Sequence, residues 1–71
     1  MRNLETIYSN NLKQLRTEKH LSQKQVAAYL NLQSENRVCR WERGQSYPSL
    51  NNLIKLSKLY AVPIENIYPM P

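Results

Sequence analysis

The spacing of the apolar residues constrains the fold more than any other feature of this sequence. They recur at steps of three and four in short stretches, a period that places them on one face of an α-helix. The chain has a single glycine, Gly44, which argues against a β protein with many turns. The sequence therefore predicts an all-α fold built from short amphipathic helices.

Five helices are predicted, each with an apolar stripe directed to a common core. In chain order the stripes are Leu4, Ile7, Tyr8, Leu12 and Leu15; Val26, Ala27 and Leu30; Val38 and Trp41; Leu50, Leu53, Ile54, Leu56 and Leu59; and Ile64, Ile67 and Tyr68. Residues that favour helix starts precede the last four stripes, namely Ser22, Ser34, Ser49 and Pro63. Residues that tolerate a left-handed backbone end the first three helices, namely His20, Asn31 and Gly44. Gln25, three residues after Ser22, predicts a capping box.

Composition places the chain among ordinary globular domains. Its 71 residues are 41% hydrophobic and 21% charged, which predicts one domain over residues 1–71 with its core in residues 8–68. No apolar run approaches the roughly 18 residues of a membrane span, and Met1–Glu5 lacks the apolar region of a signal peptide. Cys39 is the single cysteine, so an internal disulfide and a four-thiolate metal site are excluded. We expect a cytoplasmic protein without metal or cofactor.

The charge of the chain is strongly positive. Ten Lys and Arg residues stand against five Asp and Glu, giving a formal net charge of +5. A basic domain of this size attracts polyanions, which include nucleic acid, anionic membrane and acidic proteins. Charge alone leaves these partners open.

A set of short strings narrows the choice. They are Leu21-Ser22-Gln23, Val26-Ala27, Val38, Arg40-Trp41-Glu42-Arg43-Gly44 and Pro48-Ser49-Leu50, followed by Leu53, Leu56, Leu59 and Val62-Pro63-Ile64. In this order and spacing the segment from Leu12 to Ile67 resembles the Cro/repressor-type (XRE-like) helix-turn-helix family of prokaryotes and phages. The resemblance implies a compact five-helix, lambda-repressor-like domain whose second and third helices form the helix-turn-helix. It also implies sequence-specific binding of double-stranded DNA by a transcriptional repressor or other regulator.

The third helix is the predicted recognition helix. Val38 and Trp41 anchor it, and its outer face carries the predicted base-reading residues Glu35, Asn36, Arg37 and Arg40. Asn can pair with adenine, Arg with guanine, and Glu can accept from cytosine in the major groove. A solvated helix face is the alternative for Asn36 and Arg40, and a favourable charge at a helix N-terminus is the alternative for Glu35.

The resemblance also implies contacts to the DNA backbone. They come from the start of the second helix and from the loop after the third, at Ser22, Gln23, Arg43, Gln45, Ser46 and Tyr47. We expect the Gln23 side chain at the surface. Arg16 and Glu42 fall where relatives place a partly buried ion pair between the first and third helices.

The family pattern further implies a homodimer on a pseudo-palindromic operator. The predicted interface is Tyr60, Ile64, Ile67 and Tyr68. With Met70, these are more apolar residues than a five-helix monomer easily hides.

The turn between the motif helices departs from the family pattern. Relatives turn with Gly, an aliphatic residue and a Ser or Thr cap, whereas Asn31-Leu32-Gln33-Ser34 is one residue longer. We expect Leu32 to supply the aliphatic contact, which makes Gln33 the additional residue.

Other function classes find less support. One His, no clustered carboxylates and no Gly-rich phosphate loop argue against an enzyme and a small-molecule ligand. A membrane-surface role would need an amphipathic helix with a free apolar face. The remaining alternative is an antitoxin or other protein-interaction module of the same fold that also binds its own promoter. Such a protein would be expected to carry a segment beyond the five helices.

Overall fold

Five short α-helices make up the part of the chain that the computed structural model describes, residues 8–69, and no strand occurs in that range. They are α1 Leu12–Glu18, α2 Gln23–Tyr29, α3 Asn36–Glu42, α4 Leu50–Tyr60 and α5 Ile64–Ile67. Four of the five have seven residues or fewer. Helices this short are unstable alone in water, so tertiary packing and caps must hold them. The predicted all-α fold is confirmed.

Two of the predicted helix starts are formed by side-chain caps, those of α2 and α4. Ser22 Oγ accepts a hydrogen bond from the backbone N–H of Gln25 at 3.0 Å. Gln25 Oε1 accepts one from the backbone N–H of Ser22 at 2.8 Å, which completes the capping box. Ser49 Oγ accepts from the Asn52 amide at 3.2 Å at the start of α4. Ser34 Oγ lies 3.4 Å from the amide of Asn36, the first residue of α3. Ser22 and Ser49 therefore act as the predicted caps, whereas the N-cap of α3 is Glu35, one residue after the predicted Ser34, and it makes no side-chain cap bond.

The predicted helix ends are also confirmed. His20, Asn31 and Gly44 have φ angles of 58°, 60° and 75°. Ala61, at φ 56°, ends α4 in the same left-handed conformation, which no local sequence signal indicated. Its cost is offset because the amides of Ala61 and Val62 donate to carbonyls in the last turn of α4.

The first helix is shorter than predicted. It begins at Leu12 because Asn10 Oδ1 accepts the Leu12 amide at 2.9 Å, while Asn10 Nδ2 donates to the Trp41 carbonyl at 2.9 Å. Tyr8 precedes the helix and is exposed. Two residues of the predicted stripe lie outside the described residues, namely Leu4 and Ile7.

All five helices contribute to one apolar core. Its buried residues are Leu12, Val26, Ala27, Leu30, Val38, Trp41, Leu53, Leu56, Tyr60 and Ile67. Two residues of the predicted α4 stripe do not join it, since Leu50 is 69% and Ile54 39% exposed. The buried face of α4 runs through Leu53, Leu56 and Tyr60, and at 3.6 residues per turn Ile54 points away from it.

Two residues predicted at a dimer interface are internal instead. Tyr60 is 3% and Ile67 0% exposed, whereas Ile64 and Tyr68 are half-buried against the core. The physical reason is that α5 folds back onto the start of α1, where the backbone N–H of Asn11 donates to the Ile67 carbonyl at 2.9 Å. The domain's own core therefore uses side chains that composition alone suggested were in excess. Met70, named with that interface, lies outside the described residues.

Candidate nucleic-acid interface

The third helix has one buried and one exposed face. Val38 and Trp41 are 3% and 2% exposed. The predicted reading residues all lie at the surface, namely Glu35, Asn36, Arg37 and Arg40. Burial of the two anchors thus fixes the direction in which the polar face of α3 points.

The turn before α3 is held against α2. The Leu32 amide donates to the Ala27 carbonyl at 2.9 Å, and the Leu32 side chain packs against the core as predicted. Ala27 is 3% exposed, which fits the small residue that closely crossing helices need. The additional residue, Gln33, is exposed.

A partly buried ion pair joins α1 to α3. Arg16 Nε lies 2.6 Å from Glu42 Oε2 and Nη2 lies 3.2 Å from Oε1, with side-chain exposures of 11% and 4% for Arg16 and Glu42. Arg16 Nη1 also donates to the Leu21 carbonyl at 2.8 Å. The hydrogen bond to Glu42 raises the pKa of Arg16, outweighing the opposite effect of burial. The pair implied by the family resemblance is therefore formed.

Tyr60 packs close to this pair. Burial, and secondarily the negative charge of Glu42, raises the pKa of its hydroxyl from the ordinary 10.0 to about 12. The Tyr60 hydroxyl therefore stays protonated and uncharged at neutral pH.

Gln23 belongs to the same group of polar contacts. Its Nε2 donates to Glu42 Oε1 at 3.0 Å, and the residue is half-buried. The expected surface position of its side chain is therefore wrong in part, because the second carboxylate oxygen of Glu42 draws the amide inward. Gln23 and Glu42 both belong to the sequence strings shared with the family, but nothing in those strings indicates that the two side chains are in contact.

A surface cavity of about 290 Å³ opens beside this group. Its lining brings together residues of α1, α2, α3 and the following position, namely Lys13, Arg16, Gln23, Cys39, Glu42 and Arg43. Lys13 was not among the predicted site residues. Its position on α1 becomes significant only when α1 and α3 are packed side by side.

Arg37 is exposed but not free. Its guanidinium carbon lies 5.7 Å from the centre of the Trp41 ring, within the range of a cation–π contact. The contact uses the aromatic residue that anchors α3. Arg37 is consequently held closer to the helix than an unpartnered arginine would be.

The loop after α3 is fixed by backbone bonds and by tyrosines. The Gln45 amide donates to the Arg40 carbonyl at 2.9 Å, and the Tyr8 amide donates to the Gly44 carbonyl at 3.1 Å. The Tyr47 ring lies 5.2 Å from that of Tyr8. Tyr47 itself is 46% exposed. Arg43 and Gln45 are exposed and Ser46 is half-buried, so most of the predicted backbone-contacting residues of this loop are accessible.

Tyr68 supports this loop from the C-terminal side. Its ring lies 4.5 Å from that of Tyr47. Its hydroxyl is buried without a hydrogen-bond partner among residues 8–69, and burial raises its pKa well above the usual range. Sequence reasoning missed this stacking, because the two tyrosines meet only when α5 has folded back.

Within residues 8–69, no group of three His, Cys, Asp or Glu side chains is placed to hold a metal ion. The helices of that range are all too short or too polar to cross a membrane. Cys39 is a free, half-buried thiol.

The sequence of this chain is similar to those of known transcriptional regulators. A family model described as helix-turn-helix matches residues 12–67. The chain is 37% identical over 60 residues to the HTH-type transcriptional activator BcrR of Enterococcus faecalis, covering 84% of this chain and 29% of that protein. It is 33% identical over 61 residues to the cryptic phage CTXphi transcriptional repressor RstR of Vibrio cholerae, covering 86% of this chain and 54% of RstR. The chain thus spans little more than half of one relative and less than a third of the other.

Proposed function

Since this chain belongs to the XRE-type helix-turn-helix family, we propose that it binds a specific double-stranded DNA sequence with α3 in the major groove. The observation that carries the proposal is the orientation of α3. Its apolar residues are buried and its exposed residues are polar or cationic. An α-helix fits the major groove, where such side chains reach base edges.

Two side chains are the main base readers in this proposal. Asn36 and Arg40 are four residues apart and therefore share one face of α3. Arg40 is suited to the O6 and N7 atoms of guanine, and Asn36 to the N6 and N7 atoms of adenine. Glu35 at the start of the helix is suited to accept from cytosine N4. Arg37 has less reach because it rests on Trp41.

We place contacts to the DNA sugar-phosphate backbone at the cavity between α1, α2 and α3. Lys13 and Arg43 supply positive charge there, and Gln23 supplies an amide. The carboxylate of Glu42 only accepts hydrogen bonds, so the NH₂ group of Gln23 must face it. The second hydrogen of that NH₂ group is then the donor for a phosphate oxygen. Ser22, Gln45, Ser46 and Tyr47 extend the proposed contacts on either side.

The biological role follows as a further part of the proposal. We propose a cytoplasmic transcriptional regulator that represses, since a bound domain obstructs polymerase without needing any other contact. RstR is named a repressor and BcrR an activator. Pairing of two copies on a pseudo-palindromic site would use apolar side chains left on the surface, for which we propose the two exposed aliphatic residues of α4, Leu50 and Ile54.

The test selects bound sites from random duplex DNA and then measures affinity on a panel of single-base variants. Arg40→Ala is expected to cost about 1–3 kcal/mol on the preferred site and to relax the preference at one base pair. Lys58→Ala, a loss of one cation on α4, is the matched control and should keep every base preference. Selection of no site by the wild-type protein would contradict the proposal.

Salt dependence gives an independent measure of phosphate contacts. If each protomer neutralises about four phosphates, a dimer should show a log–log slope of affinity against salt near −7. A flat salt response, or equal affinity for any duplex, would contradict DNA reading by this surface.

A further inference from the structure

The turn between α2 and α3 presents one more polar side chain beside the reading face. Gln33 is exposed and lines an open recess of about 420 Å³ together with Asn36, Arg37 and Arg40. The recess therefore joins the additional residue of the turn to the side chains already proposed to face DNA.

The backbone on both sides of Gln33 is anchored. On one side the Leu32 amide donates to the Ala27 carbonyl at 2.9 Å, and the Leu32 side chain packs on the core. On the other side Ser34 Oγ accepts a hydrogen bond from the backbone N–H of Asn36 at 3.4 Å. A side chain that extends from such a fixed position loses little further backbone freedom when it binds.

The chemistry of the recess suits the edge of a base. Arg37 and Arg40 make it cationic, which attracts DNA. The Gln33 side chain is exposed, and its amide offers one donor group and one acceptor group. Adenine presents the complementary N6 donor and N7 acceptor in the major groove.

We propose that Gln33 is a further base-reading residue and that it extends the surface of α3 by one base pair on the side of the turn. The ligand is the major-groove edge of an adenine. This inference rests on the proposed function, because it requires α3 to lie in the groove. The longer turn is thereby a specificity element and not only a spacer.

Two substitutions at one position test it on the single-base panel. Gln33→Ala should weaken binding to the preferred site about 10-fold and remove discrimination at one base pair that Arg40→Ala and Asn36→Ala leave intact. Gln33→Glu should move the preference at that same pair towards cytosine, because a carboxylate accepts from cytosine N4. Gln45→Ala, a glutamine in the loop after α3, is the matched control and should weaken all sequences equally.

The outcomes separate this inference from the proposal on which it rests. A uniform loss with Gln33→Ala, or no loss, would overturn the reading role of Gln33. If Arg40→Ala still changes a base preference in that case, the proposed function stands without it. If the wild-type protein prefers no sequence at all, both are overturned. Circular dichroism should be unchanged in both Gln33 variants, since the side chain is exposed.

Discussion

The helix-turn-helix unit, residues 23–42, and the C-terminal pair of helices, α4 and α5, are held together in different ways. The first unit combines apolar burial with polar contacts of fixed geometry, namely the capping box of α2 and the bonds that Glu42 makes to Gln23 and to Arg16 of α1. The C-terminal pair relies mainly on apolar burial, with Leu53, Leu56, Tyr60 and Ile67 all inside, together with the Ser49 cap of α4. Polar side chains therefore serve both stability and the proposed DNA contact in the first unit, whereas in the C-terminal pair the apolar side chains supply most of the stability.

This difference explains why the sequence predicts the contacts of the helix-turn-helix unit better than the packing of the C-terminal pair. Polar contacts of fixed geometry require particular residue types at particular spacings, and such strings are recognisable. A buried apolar position accepts many residues of similar size. No sequence pattern therefore indicates which two apolar surfaces pack together. Substitutions in each part test whether the two differ in this way.

The largest expected effect is in the C-terminal pair. Ile67→Ala should lower the free energy of unfolding by about 4 kcal/mol, because it opens a cavity at a side chain that is 0% exposed. Ile54→Ala, at a 39% exposed position of α4, should change it by less than about 1 kcal/mol. Chemical denaturation of both variants at several protein concentrations is the measurement.

Concentration dependence distinguishes the two roles considered for Ile67. A core residue destabilises the protomer equally at all concentrations, whereas an interface residue acts through association. A loss of stability in Ile67→Ala that disappears on dilution would restore Ile67 to a dimer interface.

The second effect is in the helix-turn-helix unit. Glu42→Ala should destabilise the fold by about 3 kcal/mol, since it leaves the 11% exposed Arg16 side chain without its carboxylate. Glu65→Ala removes an exposed carboxylate of α5 and serves as the control. Thermal unfolding checks both variants, and an unchanged melting temperature in Glu42→Ala would mean that the pair does not stabilise the domain.

Much of the fold was predictable because its signals are local. Ser22 and Gln25 have the spacing of a capping box, and His20, Asn31 and Gly44 stand where a left-handed residue is needed. The orientation of α3 followed from the positions of its two anchors. A local signal also existed for the start of α1, since Asn10 and Asn11 both favour helix caps, but the longer apolar stripe concealed it.

The remainder depended on which surfaces meet. Burial of Tyr60 and Ile67 requires that α5 folds back on α1, and no residue spacing states this. The same holds for the contact of Gln23 with Glu42 and for the stacking of Tyr68 on Tyr47. Ala61 is left-handed although alanine disfavours that conformation, because the amides of Ala61 and Val62 then donate to carbonyls in the last turn of α4.

A smaller effect is expected where stability and binding overlap, at Gln23. Gln23→Ala removes a hydrogen bond to a charged partner, which should cost about 1–2 kcal/mol of stability. It should also weaken DNA binding by a similar factor on every sequence, because a phosphate contact carries no base information. Denaturation and the single-base panel measure the two effects. A changed base preference would move Gln23 into the reading surface.

The smallest effect at neutral pH is expected for Tyr68→Phe. The Tyr68 hydroxyl is buried without a partner among residues 8–69, and such a group costs free energy without returning any. Its removal keeps the ring against Tyr47 and should leave stability unchanged or raise it by about 1 kcal/mol. Tyr29→Phe, at an exposed tyrosine of α2, is the control. A loss of stability in Tyr68→Phe would show that the hydroxyl is bonded in the folded protein.

Alkaline pH enlarges this small difference in a direction that can be worked out. Burial holds the pKa of Tyr60 at about 12, against an ordinary 10.0, and raises the pKa of Tyr68 in the same sense. Above pH 10 the unfolded chain therefore loses these protons while the folded chain keeps them, so stability is full below that pH and falls as pH rises through the window between the two values. Tyr68→Phe removes one of the two titrating groups and should reduce the fall, and Tyr60→Phe should reduce it in the same way. Denaturation midpoints measured from neutral pH to above pH 10 provide the test. Equal slopes in the wild-type protein and both variants would mean that neither hydroxyl is kept neutral by the core.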